Sequence, residues 1–166
     1  MPGRRRAGYH SSVRALGVDV GGRRIGIAIS DASGVLARPL EVIEASGQAQ
    51  VARVVEAIRR AAAEEDGLGV VVVGLPRRLD GTPNDQTAAV TAFVETLRTR
   101  IPQPVVLQDE RLSSVEAESR LALRDRDWRS RKKKLDAAAA AVILQDYLDR
   151  DSGKLAAGSW QRTEDA

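Results

Sequence analysis

The chain has 166 residues, enough for one well-buried domain and too few for two of ordinary size. Its 43% hydrophobic and 30% charged residues are typical of a globular protein, and the absence of cysteine excludes disulfides, a thiol nucleophile and a thiolate zinc site. A net charge of +3 and the lack of any bilayer-length apolar run argue against a polycation and against a membrane partner, so a reducing, cytoplasmic setting is expected.

Residues 1–13 are basic and contain Gly and Ser, and they read as a disordered arm that carries the single histidine, His10. The domain expected over 14–150 opens with a strand at Val13–Val20. Gly21-Gly22 then turns the chain into a second strand, Arg24–Ser30. Asp31-Ala32-Ser33-Gly34 reads as a turn before a third strand, Val35–Ile43, in which Pro39 argues for a sheet edge. From Gln48 to Glu65 the spacing becomes helical, with Val51, Val54, Val55, Ile58 and Ala62 on one stripe, and Gly67 and Gly69 are expected to end that helix.

Val70–Leu75 is a continuous apolar run, the pattern of a strand buried on both faces, and Pro76 stops it. Arg77 to Pro83 is a loop with an Asp80-Gly81 turn signal. Asn84 or Asp85 is then placed to cap a helix whose stripe is Ala89, Val90, Phe93, Val94 and Leu97. A strand follows at Val105–Gln108, and a helix from Ser113 or Ser114 to Leu123, where Glu116 offers a capping box to Ser113. Leu135–Leu148 is a strong helix, and residues 151–166 read as a flexible tail.

Three strands joined by short turns, then strands alternating with helices, predict an α/β fold. Its mixed five-stranded sheet combines a three-strand antiparallel meander with two parallel strands, with helices on both faces.

Three acids stand where apolar elements end or begin: Asp19 near the end of the first strand, Glu110 just after Val105–Gln108, and Asp136 at the start of the last helix. Asp19 precedes Gly21-Gly22, where a phosphate or cation can approach the backbone closely; its plain alternative is a strand-end acid that accepts turn N–H groups. Glu110 lies where a strand leads into a helix, the rim on which open α/β sheets bind ligands; otherwise it pairs with Arg111 or the helix dipole. Asp136, Ala140, Ile143 and Tyr147 share one helical stripe, so this carboxylate is expected to point inward and to need a partner; its plain alternative is a favourable interaction with the helix dipole. Carboxylates gathered without histidine or cysteine favour a hard divalent cation, Mg²⁺ or Mn²⁺. Two such ions held by shared acids are a standard means of cutting phosphodiesters.

Positive charge accompanies these acids. Arg77 and Arg78 follow the fourth strand, and Arg124–Lys134 holds seven basic residues, among them Arg129, Arg131, Lys132, Lys133 and Lys134, against two acids. Such a block is either a solvated face or a phosphate-contacting patch.

Gly17-Val18-Asp19-Val20-Gly21 with Arg24-Ile25-Gly26-Ile27-Ala28, Val73-Gly74-Leu75-Pro76 with Asp80-Gly81-Thr82, Asp109-Glu110-Arg111-Leu112-Ser113-Ser114, and Asp136–Ala140 with Ile143-Leu144 and Tyr147-Leu148 together resemble the four signatures of the YqgF/RuvX family. The resemblance runs in order over residues 14–149. It implies an RNase H-like nuclease domain with Asp19, Glu110 and Asp136 as catalytic and metal-holding acids. The implied substrates are the 5′ end of precursor small-subunit ribosomal RNA or, alternatively, branched DNA at a Holliday junction in recombination. Junction cutting would call for a homodimer with two sites. Arg77-Arg78-Leu79 departs from the family's usual apolar residue followed by Asn and Met, which adds positive charge there. Two rivals remain from sequence: a nucleotide-binding kinase or ATPase half-domain, for which the chain lacks a second domain, and a ribosome-assembly protein that binds nucleic acid without cutting it.

Overall fold

Arg14–Val20 (β1) is the central strand, and every other layer is placed by what pairs with it or lies across it. The computed structural model describes residues 13–78, 80–109 and 136–150. The expected arm before Val13, the helix from Ser113 or Ser114 to Leu123, the basic block and the tail lie outside the described residues. Arg24–Ser30 (β2), Ala37–Glu44 (β3), Leu68–Leu75 (β4) and Val105–Asp109 (β5) complete a sheet of order β3-β2-β1-β4-β5. The β1–β2 and β2–β3 pairs are antiparallel, and β1–β4 and β4–β5 are parallel, as the sequence order predicts.

One face is covered by α1 (Ala49–Ala63) and α2 (Asp85–Arg98). Here Leu16, Val18, Ile25, Ile27, Val71 and Val73 meet Val54, Ile58, Val94 and Leu97 in a single large apolar cluster. The stripe read from sequence in α1 shifts slightly: Ala57 and Ala61 are buried, while Ala62 is only partly so. The α2 cap is Asn84, whose side chain accepts from Gln86 N and Thr87 N, while the Thr87 hydroxyl accepts from Asn84 N.

Residues 136–150 form a helix on the opposite face, where the packing is finer. Ala15, Ala28 and Val72 of the sheet meet Ala140, Ile143, Leu144 and Leu148. Gln145 ties this helix to the start of β3, accepting from Ala37 N at 2.9 Å and donating to the Val35 carbonyl at 2.9 Å.

Several local details differ from the sequence reading for physical reasons. Val35 and Leu36 belong to a turn, because the Asp31 carboxylate accepts both of their N–H groups, at 2.8 and 3.1 Å. Hydrogen bonding from the Ser33 hydroxyl, and from those two amides, holds the Asp31 carboxyl below its ordinary value. Gly69 lies inside β4, and Gly67, at φ +62°, alone makes the bend after α1. Arg14, only 6% exposed, donates to the Ala61 and Gly67 carbonyls and to Glu64, so the first residue of β1 closes the C-terminal end of α1.

Candidate active site

Alternation along β1 puts Ala15, Gly17 and Asp19 on the face of the 136–150 helix, and Leu16, Val18 and Val20 on the α1/α2 face. Asp19 is half-buried near the C-terminal end of its strand and is paired with Gly26 of β2. A Cβ at Gly26 would land on the Asp136 carbonyl oxygen and within 3.1 Å of Ala137 N. A Cβ at Gly17 would stand 2.8 Å from Leu144 Cβ and 2.9 Å from the Ala140 carbonyl. These two glycines let the helix backbone lie directly on the sheet, and the first described turn of the helix sits over the strand pair that carries Asp19. Asp19 and Asp136, far apart in sequence, are therefore adjacent on one rim of one face.

The row of Asp19 continues across the sheet. Val18 pairs with Val73 and Gly74 with Gln108, so Gly26, Asp19, Gly74 and Gln108 follow one another from β2 to β5. On one side of Asp19, Gly26 lies under the first described turn of the helix, and on the other side stands Gly74. The next residue with the parity of Val106 and Gln108 is Glu110 in sequence, which lies outside the described residues, as do Arg129, Arg131, Lys132, Lys133 and Lys134.

Arg77 and Arg78 are exposed in the loop that leaves the same end of β4. The loop is tied down by Arg78 N donating to the Thr82 carbonyl at 2.9 Å and by the Thr87 hydroxyl donating to the Pro76 carbonyl at 2.6 Å. The two guanidinium groups thus extend from an anchored backbone on the acid rim.

Sequence reading passed over Gln108. It is 6% exposed, and its Nε2 has no hydrogen-bond partner. The signal available was a lone amide closing the apolar run Val105-Val106-Leu107.

Among the described residues no three acids or histidines gather into a metal-holding group. The two described acids of the rim offer only oxygen donors, which fit a hard divalent cation and not a soft one.

Residues 13–150 match the model of the RuvX family, described as Holliday junction resolvase. The chain belongs to the RuvX family. A relative from Desulforudis audaxviator named "Putative pre-16S rRNA nuclease" is 41% identical over 144 residues, covering 86% of this chain and 99% of that protein. One of the same name from Chloroflexus aggregans is 44% identical over 138 residues, covering 81% and 92%. Among solved structures, RuvC of T. thermophilus in complex with a Holliday junction substrate matches with a TM-score of 0.52 at 18% identity, covering 85% of this chain and 97% of that one. The yeast mitochondrial Holliday junction resolvase Ydc2 matches with a TM-score of 0.51 at 13% identity, covering 90% and 83%. These likenesses establish an RNase H-like fold for this RuvX-family chain. No helix among the described residues is long and apolar enough to cross a membrane.

Proposed function

We propose that this chain is a divalent-metal-dependent endonuclease that processes the 5′ end of precursor small-subunit ribosomal RNA in the cytoplasm. The observation that carries the reading is the contact across Gly26, which sets the start of the 136–150 helix, and with it Asp136, beside the strand pair of Asp19. Two acids placed this way at an open sheet rim, with arginines on the neighbouring loop, suit a phosphodiester better than a small neutral substrate. The names borne by the relatives favour ribosomal RNA.

In this reading Asp19, Glu110 and Asp136 hold Mg²⁺ or Mn²⁺. When bound, the cations would supply an activated water and charge stabilisation of the leaving oxygen. Asp19 would contribute to holding both ions, and Glu110 and Asp136 would each help to hold one. Arg77 and Arg78, with Arg129, Arg131, Lys132, Lys133 and Lys134, hold the phosphates that flank the cut, through contacts that weaken as salt rises.

A second reading, Holliday junction resolution, is favoured by the fold likeness to RuvC and would require a homodimer presenting two sites. Side-by-side cleavage of precursor ribosomal RNA and a four-way junction separates the two. Asp19→Asn and Asp136→Asn are expected to abolish cutting while the Tm is kept or raised, since repulsion between acids is relieved. A variant that cuts at the parent rate under saturating Mg²⁺ would refute the metal assignment. Binding that survives both substitutions, with no cutting by the parent chain, would leave a non-catalytic assembly protein.

A further inference from the structure

Beside the acid rim, a groove of about 450 Å³ opens between the edge strand β5 and the 136–150 helix. Its described lining includes Val106, Gln108 and Asp109 of β5, Arg77 after β4, and Tyr147 and Arg150 of the helix. Two guanidinium groups against one carboxylate make the groove attractive to anions. Neither Arg77 nor Arg150 enters the salt bridges of the described residues, which join Arg14 to Glu64, Arg24 to Glu44, Arg60 to Glu41 and Arg98 to Glu95.

Gln108 supplies a second, independent sign of a ligand. A buried amide donor without a partner carries an uncompensated desolvation cost, and Gln108 Nε2 is such a donor. The last torsion of a glutamine is broad, so a small rotation presents that donor to the groove. Gln108 also shares the row and face of Asp19, two strand spacings or roughly 10 Å away, with Gly74 between them. Neighbouring nucleotides of one strand can therefore reach both.

We propose that this groove is a subsite for one unpaired nucleotide adjoining the bond that is cut, a placement that rests on the nuclease reading above. Gln108 meets the edge of the base, the half-buried Tyr147 ring lies along its face, and Arg77 and Arg150 take phosphates. In a duplex, pairing occupies the Watson–Crick edges and stacking covers the faces, whereas an unpaired, unstacked base offers both. The subsite thus selects a single-stranded segment, of RNA or of DNA, at the cut.

The test uses the full chain carrying Asp19→Asn to suppress cutting. Fluorescence anisotropy compares a short single-stranded RNA, a DNA of the same sequence, and the corresponding blunt duplexes. Gln108→Met is expected to weaken single-strand binding by roughly 5- to 100-fold without altering its salt dependence. Arg150→Ala is expected to weaken it and to reduce the slope of log K against log salt by about 0.7 to 1. Arg150 is exposed, so its variant folds even if Gln108→Met does not.

Duplex binding unchanged in both variants supports the subsite, and the RNA and DNA arms identify which strand it takes. Single-strand binding equal to that of the Asp19→Asn parent in both variants overturns it, as does equal weakening for duplex. Cleavage by the chain with Asp19 intact is measured in parallel. Its absence would overturn the nuclease reading, while the binding result still decides the subsite.

Discussion

The two faces of the sheet are built by opposite means. Under α1 and α2 the sheet presents Leu, Ile and Val, and the helices stand off by the thickness of those side chains. Under the 136–150 helix it presents Gly17, Gly26, Ala15 and Ala28, and the helix backbone rests almost on the strands. The first arrangement maximises buried apolar area, which is where stability comes from. The second gives up side-chain volume and gains a fixed helix position, which keeps Asp136 beside Asp19. Stability and placement are thus carried by different faces of the same five strands.

Substitutions on the two faces should separate these roles. Ile58→Ala, on the thick face, is expected to cost about 2–5 kcal/mol of stability, read as a lower denaturant midpoint, while the rate of phosphodiester cutting by the remaining folded protein is kept. Gly26→Ala, on the thin face, is expected to cost less, about 1–3 kcal/mol, yet to reduce cutting severely, because the helix must move off the sheet at Asp136. If Gly26→Ala unfolds the chain no more than predicted and cuts normally, the thin face does not position the acids.

Smaller effects lie away from both contacts. Asn84→Ala removes the α2 cap and should cost about 1 kcal/mol, measured by thermal melting, with no change in cutting. The Asp31 carboxyl titrates below its ordinary value in the folded chain, so its stabilising effect is present above an unfolded pKa of about 3.9 and fades as the pH falls through the lower folded value. Asp31→Ala should therefore lower the Tm slightly at neutral pH and make no difference in strong acid. A Tm gap that persists in strong acid would show that the turn is held by something other than the carboxylate.

Much of this was legible in the sequence because the relevant forces are local. The bounds of β2, the buried run of β4, a cap at Asn84 or Asp85 and the inward stripe of Asp136, Ala140 and Ile143 follow from alternation, helical period and capping chemistry. What escaped depends on residues distant in the chain. Gly17 and Gly26 read as ordinary strand glycines until the helix at 136–150 is laid across them. Arg14 read as one residue of the first strand, and its role appears only when the end of α1 arrives beside it. Gln108 closed an apolar run without explanation until the groove beside β5 gave it a neighbour. Glu110 and the basic block, which the sequence singled out, lie outside the described residues, so their part rests on the proposal alone.

The contact across Gly26 also bears on biosynthesis. Asp19 leaves the ribosome early, but the helix that brings Asp136 to it is near the end of the domain. At a synthesis rate of roughly 5–20 residues per second, the early strands are exposed for seconds before that helix exists to dock. During that interval the two acids are not yet side by side, so, on the proposal that they act together, any cutting must wait for nearly the whole domain to be released.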